Sequence, residues 1–558
     1  MSTYEGYYRK RIYEVMDEDK CSRVLRISYR VIALVLISSY TVCVAVLVPD
    51  YHQALPFICI TCFVVFCLCY HYIKKKFGDQ VSEKISKIST RMKWMKTRKF
   101  SIGSYIVVVL ACICYLVISN LDTAENLISI AGLVVLIGVS WLISYNRRQI
   151  NWRPVIWGIV LQMILGLLIL RTEAGRKTFS FLGKQVEHFQ SHVLAGVNFV
   201  FGEKYGDFEF IFKLMPTVIF INSVVSVLYH FGLMQMLVEK FAVVMHFTMG
   251  TTAAETVCTA ASMFLGQPEA SFAIKPYLSL LTKSELFAIM TAGFASVSAD
   301  IFGLFVKYGI SSSDILTAVL MSAPAGLAVS KIICPETEES QTKTWRQIQN
   351  IHSRSESSNV IEAAAKGAQD AMFVVLTVIA CLISFLSIIS FINAVLAYLG
   401  SLVGLSDLSL NLILSYVMMP LVFLMGVPWE DCQIVGEVVG LKTVVNEFVG
   451  YTRLGEFIKI EAISTKSQVI ATYALCGFSN PMTMGVIVGG LSVLIPERKN
   501  LVAEIVVRTW IAGCIACFMT ACFAGLLYDE FSQPILNNAT LTSNYTLTTV
   551  SSFTNVSS

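Results

Sequence analysis

Residues Gly266-Gln267-Pro268-Glu269 stand between two apolar stretches, 256–265 and 270–281. Each stretch is far short of the ~20 apolar residues a helix needs to cross a bilayer. A carboxylate at their join costs ~2.5–3.5 kcal/mol if an ordinary span carries it to mid-membrane. A helical hairpin that enters and leaves on one side accommodates both facts, because non-helical backbone is tolerated at membrane depth where it lines a cavity. The pattern recurs from Trp429 to about Ile460, with Asn446-Glu447 between short apolar halves. Two re-entrant hairpins are therefore expected.

Composition requires the membrane that this reading supposes. Of 558 residues, 55% are hydrophobic and only 14% charged, and mean hydropathy is +0.67. A soluble protein carries about 25% charged residues, so most of this chain cannot face water. That excludes a soluble enzyme, a nucleic-acid binder and a disordered scaffold. The 16 cysteines are scattered, many inside apolar runs (Cys59, Cys62, Cys67, Cys69), without the flanking ligands of a zinc site. They read as small buried thiols. The seven histidines are dispersed. His188 and His192 share one face of an amphipathic, interfacial stretch that reads as a solvated face. No nucleophile set assembles, so no enzyme chemistry and no cofactor are expected.

Candidate spans are 31–48, 54–73, 101–119, 127–145, 155–170, 212–234, 287–307, 314–333, 371–399, 409–427, 468–492 and 501–527. The polar opening residues give no cleavable signal peptide. Residues 74–99 carry ten basic side chains against Asp79 and Glu83, and the turn 146–154 carries Arg147, Arg148 and Arg153. Basic loops stay cytoplasmic, which places the N-terminus inside. The Ser/Thr-rich tail holds three glycosylation sequons, at Asn538, Asn544 and Asn555, and so belongs outside. Twelve crossings would return the tail to the inside. The stretch 371–399 follows the polar loop 335–360 and is expected along the membrane surface, leaving eleven crossings.

Each hairpin is followed by a span with a polar break. In 287–307 the break is Gly293, Ser296, Ser298, Asp300 and Gly303; in 468–492 it is Gly477-Phe478-Ser479-Asn480-Pro481, then Thr483 and Gly485. Paired interruptions in two halves of a membrane protein point to inverted repeats around a mid-membrane site, where broken helices expose carbonyls, amides and dipole ends to a polar solute. The competing reading of either break alone is a kinked helix with a satisfied polar residue.

At these residues the chain resembles the concentrative nucleoside transporters, over about 151–525. The matching motifs are Asn151-Trp152-Arg153-Pro154-Val155, Phe201-Gly202-Glu203-Lys204-Tyr205, Gly266-Gln267-Pro268-Glu269 with Lys275-Pro276-Tyr277-Leu278, Ser322-Ala323-Pro324 and Pro335-Glu336-Thr337-Glu338. They continue through Met425-Gly426-Val427-Pro428-Trp429, Asn446-Glu447-Phe448-Val449 and Ala471-Thr472-Tyr473-Ala474-Leu475-Cys476-Gly477-Phe478. The three leading spans and the external tail are similar to the animal branch. The resemblance implies an all-α polytopic fold and a homotrimer whose protomers carry an elevator-type transport domain on a scaffold. It also implies cation-coupled nucleoside uptake at the plasma membrane.

The domain organisation that follows has six parts. Residues 1–126 hold the cytoplasmic N-terminus and three extra spans, and 127–250 the scaffold spans with an interfacial segment. The first hairpin and broken span occupy 251–333; a polar loop, a surface helix and a scaffold span occupy 334–428. The second hairpin and broken span take 429–527, and the extracellular glycosylated tail 528–558.

A nucleoside offers vicinal ribose hydroxyls and a base edge of mixed donors and acceptors. A carboxylate accepts from two neighbouring hydroxyls, and an amide both gives and accepts. Glu447 with Asn480 suits the ribose, and Gln267 with Glu269 suits the base edge, as the family's motif positions imply. Gly266 and Pro268 complete the first hairpin motif, although the family usually has Thr or Ser at Pro268. Thr483 keeps a hydroxyl where the family often has Ser, and Ile301 falls at an apolar position of the base pocket. Phe478 either packs against the flat base or serves the core. For Glu269 and Glu447 the structural alternative is a buried ion pair.

The family's sodium cage implies donors at Ser262, Leu265, Ser296 and Val297, with Ser262 standing where an Asn is usual. Asp300 stands where a small or hydroxyl residue is usual. It reads as a sodium ligand, as a proton carrier, or as a partner of Lys307. Sodium, proton or both therefore remain as coupling ions. Rival functions are a nucleobase or other polar-solute carrier on the same scaffold and, from other classes, a receptor or channel. A channel would need polar rings repeated about an axis.

Overall fold

The computed structural model describes residues 124–202, 215–265, 270–271, 274–298, 301–302, 305–306, 308–342, 357–405 and 408–528, together with Ser39. The expected spans 31–48, 54–73 and 101–119 lie outside the described residues, as do Gly266, Gln267, Pro268, Glu269, Asp300, Lys307 and the sequons at Asn538, Asn544 and Asn555. All described residues except Ser39 fall within one compact unit, Tyr105–Ser558. Every regular element among them is helical.

The leading part contains α1 (Ile128–Leu142), α2 (Trp152–Gly166), α3 (Glu173–Ser191), α4 (Val193–Phe201), α5 (Met215–His230) and α6 (Leu233–Met249). Asn151 starts α2 by accepting from the Arg153 amide, satisfying one of the donors a helix start leaves open. The helix runs on through a π turn, Leu167–Arg171, and is long and apolar enough to cross a membrane. α3 has the opposite character. Thr172 caps it, and Lys177 pairs with Glu173 on its exposed face. The rings of His188 and His192 stand 5.3 Å apart on α3 and the residue after it.

Two related blocks of elements follow, each a hairpin, a helix that breaks and a long helix. The first is α7 (Ala253–Ser262), a short 3-10 arm (Lys275–Leu280), α8 (Lys283–Ala295), a break, and the long α9 (Ser312–Ile333). Next come α10 (Val360–Leu402) and α11 (Leu410–Leu424). The second block is α12 (Cys432–Val444), α13 (Glu447–Lys459), α14 (Thr465–Leu475), a break, α15 (Pro481–Leu494) and the long α16 (Lys499–Leu527). Both long helices are apolar enough to cross a membrane.

Hydroxyl and amide caps set the helix starts in both blocks. Thr282 accepts from the Glu285 amide at 3.1 Å while Glu285 accepts from the Thr282 amide at 2.8 Å, a reciprocal box that satisfies two open donors. Glu255 reaches back to the Thr252 amide in the same way, at 2.8 Å. Ser464 caps α14, and Asn480 caps α15 just ahead of Pro481.

The core lies where the blocks interlock. α16 packs against α8, α9 and α14, and α9 against both α8 and α14. Small residues allow the approach, as expected where apolar burial gives no drive between helices in lipid. A Cβ on Gly513 of α16 would stand 2.3 Å from the Cβ of Phe294 on α8. Across the blocks, Phe305 stacks on Tyr451 of α13 with ring centroids 3.9 Å apart, and Tyr451 donates to the Thr472 carbonyl at 3.1 Å. Cys258, Cys334, Cys432, Cys476, Cys514, Cys517 and Cys522 are buried free thiols, in line with the reading from sequence.

Four expectations change in detail. The stretch 212–234 is not a single straight span: α5 ends at His230, and the chain bends by 79° into α6. Gly232 is the cause, with φ +77°, a left-handed conformation that ends a helix. The second arm of the first hairpin is a 3-10 turn, with Pro276 near its start, where the missing N–H costs nothing. The first break begins at Ser296 and not at Gly293, because α8 runs to Ala295 and Ser296 is extended. The stretch 371–399 belongs to a helix of 43 residues. That helix starts earlier because Asn359 accepts from the Glu362 amide at 2.8 Å, turning residues read as loop into a cap.

Candidate substrate and ion site

α14 stops at Leu475 and α15 starts at Pro481, so residues 476–480 leave backbone groups without helical partners. In lipid such groups must be satisfied internally, and side chains from neighbouring helices do this. Cys517 of α16 donates to the Cys476 carbonyl at 3.0 Å. Cys514 lies 3.7 Å from the Ser479 carbonyl. Lys442 of α12 donates to the Ala474 carbonyl at 3.4 Å and to the Ser479 hydroxyl at 2.5 Å. Gly477 adopts φ +145°, and a Cβ there would stand 2.4 Å from the Cys517 sulfur.

The two breaks meet. The Phe478 amide donates to the Ser296 carbonyl at 3.2 Å, joining the second break to the first. Beside this contact the second hairpin turns. Asn446 caps α13 by accepting from the Val449 amide at 3.0 Å, which sets Glu447 at the first position of the helix. The Asn480 amide nitrogen donates to the Glu447 carboxylate, and its oxygen accepts from the Thr483 amide at 2.9 Å. Both ends of the Asn480 amide are therefore engaged. Glu447 is 1% exposed and Asn480 0%, so this is a carboxylate held by an amide inside the protein.

The residues expected from sequence divide into three groups. Glu447, Asn480 and Thr483 come together directly. Phe478 is buried at the crossing of the breaks, and Ile301 is buried just beyond the first break. For Gly266, Gln267, Pro268, Glu269 and Asp300 the sequence alone speaks. The ion pair considered for Glu447 does not form among the described residues, where its bonded partner is neutral Asn480.

The expected cage residues supply hard oxygen donors only, which suits an alkali cation better than a transition metal. Ser262 is 1% exposed, and its hydroxyl donates to the Cys258 carbonyl at 2.9 Å, which leaves oxygen lone pairs to face a cation. Ser296, on extended backbone just past the helix end, and Val297 after it are both buried. The carbonyls of Leu265 and Val297 accept no hydrogen bond from the described residues. Among the described residues no cluster of three or more His, Cys, Asp or Glu side chains could hold a metal ion.

Two features escape reading by motif. Lys442 was signalled only by a positive charge inside the apolar run before Asn446. The second is a buried polar knot at the start of the first block. Lys331 of α9 lies 2.6 Å from Glu255 and donates to Ser284 at 3.0 Å. Glu285 accepts from Ser340 at 2.6 Å and Thr342 at 2.8 Å. Glu336 accepts from the Thr282 hydroxyl at 2.9 Å, and burial raises its carboxyl above the usual range against the opposing charge of Lys331. The knot ties α7, α8 and α9 to the segment 334–342.

Paired hairpins, paired broken helices and a buried carboxylate–amide pair where the breaks meet define a secondary membrane transporter. Comparison with known proteins gives the family. Residues 131–204 and 314–525 match the models "Na+ dependent nucleoside transporter" N-terminus and C-terminus, and 211–311 match "Nucleoside recognition". Solute carrier family 28 member 3 of Homo sapiens is 40% identical over 531 residues, covering 90% of this chain and 75% of the relative. Sodium/nucleoside cotransporter 2 of Rattus norvegicus is 37% identical over 499 residues, with 87% and 75% covered. The transporter CNTnw, solved in an inward-facing substrate-bound state, superposes with a TM-score of 0.69 at 34% identity, covering 72% of this chain and 98% of that one. An outward-facing state gives 0.68 at 34% identity, with 72% and 97% covered. The chain belongs to the Na+-dependent, concentrative nucleoside transporter family, in its animal branch. It is a membrane protein of a transporter family, not an enzyme.

Proposed function

We propose that this protein is a cation-coupled symporter that takes up nucleosides such as uridine and adenosine against a gradient. The observation that carries this reading is the buried Glu447–Asn480 pair beside the crossing of the two breaks. An ionised carboxylate fixed by one amide retains acceptor capacity for vicinal hydroxyls, the part of a nucleoside common to purines and pyrimidines. The relatives named as sodium/nucleoside cotransporters support the same substrate class. Gly266, Gln267, Pro268 and Glu269 would meet the base edge, with Phe478 and Ile301 against its apolar face and Thr483 at the ribose end.

Sodium is the coupling ion this reading favours, from the family to which the chain belongs. Ser262, Leu265, Ser296 and Val297 would hold it, and its charge would draw the first hairpin onto its broken span. Asp300 is assigned from sequence as a second coupling group, carrying sodium or a proton. The chain would work as a homotrimer at the plasma membrane, its transport domain moving elevator-fashion between inverted repeats. Eleven crossings would leave the N-terminus cytoplasmic and the tail, glycosylated at Asn538, Asn544 and Asn555, outside.

The test is uptake of labelled uridine and adenosine by cells expressing the chain, in sodium and choline buffers, at neutral and mildly acidic pH. Accumulation above the external concentration that requires sodium is the expected result. Uptake that survives choline and rises with acid would move the coupling to Asp300. No uptake of either nucleoside by protein present at the surface would overturn the reading.

A further inference from the structure

Among the described residues two lysines are buried outside the proposed substrate and sodium sites: Lys331, in its ion pair with Glu255, and Lys442. Lys442 is 0% exposed, and among the described residues it has no carboxylate partner in an ion pair. Its ligands are the Ser479 hydroxyl at 2.5 Å and the Ala474 carbonyl at 3.4 Å, with the Phe518 ring centroid 5.7 Å from the nitrogen. A buried charge is costly unless its surroundings compensate, and here the compensation is a hydroxyl, a backbone carbonyl and an aromatic face. Hydroxyls and backbone carbonyls at a helix break are also the donor chemistry of the cage read in the first repeat.

The repeat register gives the same equivalence. Ser262 precedes Gln267 of the first hairpin by five positions (267 − 262), and Lys442 precedes Glu447 of the second by five (447 − 442). Each sits near the end of its hairpin's first helix, and each helix is followed by a broken span. We propose that the Lys442 ammonium is a covalently tethered cation that does for the second repeat what the coupling ion does for the first. It draws the second hairpin onto residues 474–479 and so fixes Asn480 against Glu447, with no ion to be bound or released. This inference rests on reading Ser262, Leu265, Ser296 and Val297 as the sodium donors. Lys442 is on this account a positioning residue, acting through Ser479 and Asn480.

The test compares the full-length wild-type chain with Lys442→Met and Lys442→Ala, all quantified at the cell surface. Uridine uptake is titrated against sodium, with and without methylammonium or ethylammonium. Lys442→Met keeps the stem and removes the charge, and is expected to weaken apparent uridine affinity at least about tenfold, the size of a lost hydrogen bond to a charged group. Lys442→Ala opens the space, and a small alkylammonium is expected to restore uptake in it, while leaving Lys442→Met and wild type unchanged. Entry of sodium into the vacated position in Lys442→Ala would instead steepen the sodium dependence, and that also supports the proposal. Wild-type affinity and sodium dependence in Lys442→Met would overturn it, as would a Lys442→Ala variant that no amine rescues and whose sodium curve keeps its slope. Should neither variant reach the surface, Ser479→Ala decides. It leaves the ammonium and removes its nearest acceptor, and unchanged uridine affinity there overturns the proposal. Failure of the wild-type chain to transport any nucleoside would sink the functional reading itself, a separate result.

Discussion

The Phe478 amide donates to the Ser296 carbonyl at 3.2 Å, so a backbone hydrogen bond joins the breaks of two repeats. Each break thereby satisfies a polar group of the other where water cannot. The bond also places the apolar ring of Phe478 and the oxygen-rich turn at Ser296 side by side.

Glu447→Gln tests the substrate half. Gln retains the shape but replaces an ionised acceptor, and Asn480 then faces a neutral amide. Uridine uptake per molecule at the surface should fall by about one to two orders of magnitude, the range for a hydrogen bond to a charged group. Thr483→Ser, which keeps the hydroxyl, should stay near wild type in the same assay.

Ser262 offers one hydroxyl where an amide would offer a stronger oxygen donor. On the proposed cage, Ser262→Asn should lower the sodium concentration that half-saturates uptake, and Val297, which would contribute only its carbonyl, should tolerate exchange for Ile. A sodium titration of uridine uptake checks both. An unchanged half-saturation point in Ser262→Asn would remove Ser262 from the cage.

Gly477 sits at φ +145°, and its missing Cβ is matched by the Cys517 sulfur at 2.4 Å and the Phe294 carbonyl oxygen at 2.8 Å. Gly477→Ala combines backbone strain with collision, about 1–3 kcal/mol for the strain alone. The variant should melt earlier in detergent and transport poorly. Gly485→Ala, with nothing within 4 Å of the added Cβ, is the matched control and should do neither.

Lys331 and Glu255 form an ion pair at 2.6 Å with 7% and 1% of their side chains exposed. Lys331→Met leaves a carboxylate buried without its partner, and should destabilise by about 3–5 kcal/mol. Adding Glu255→Gln removes that stranded charge. The double variant should therefore melt at a higher temperature than Lys331→Met alone, a coupling that a thermal double-mutant cycle reads directly.

Much of this architecture was legible in the residues. The hairpin expected between Trp429 and Ile460 appears as α12 and α13, with Asn446-Glu447 at its turn. Short apolar halves around a carboxylate have few other solutions in lipid. The bend at Gly232, the early start of α10 at Val360 and the exact place where α8 gives way were not legible. Those depend on a backbone angle, a cap and a neighbouring amide, local balances that hydropathy does not register.

By itself the sequence determined that the chain lives in a membrane, that it carries two hairpins each followed by a broken helix, and which side chains had the chemistry to hold a polar solute. Apolar length and the cost of a charge in lipid are properties of consecutive residues, so they can be read along the chain. Only the tertiary structure decided that Asn480 seizes Glu447, that Phe478 reaches Ser296, and that Lys442 spends its charge on a hydroxyl and a carbonyl. Those choices belong to residues 32 to 182 positions apart. They follow from how the helices pack, because a backbone group freed at a break takes whichever partner the neighbouring helix presents.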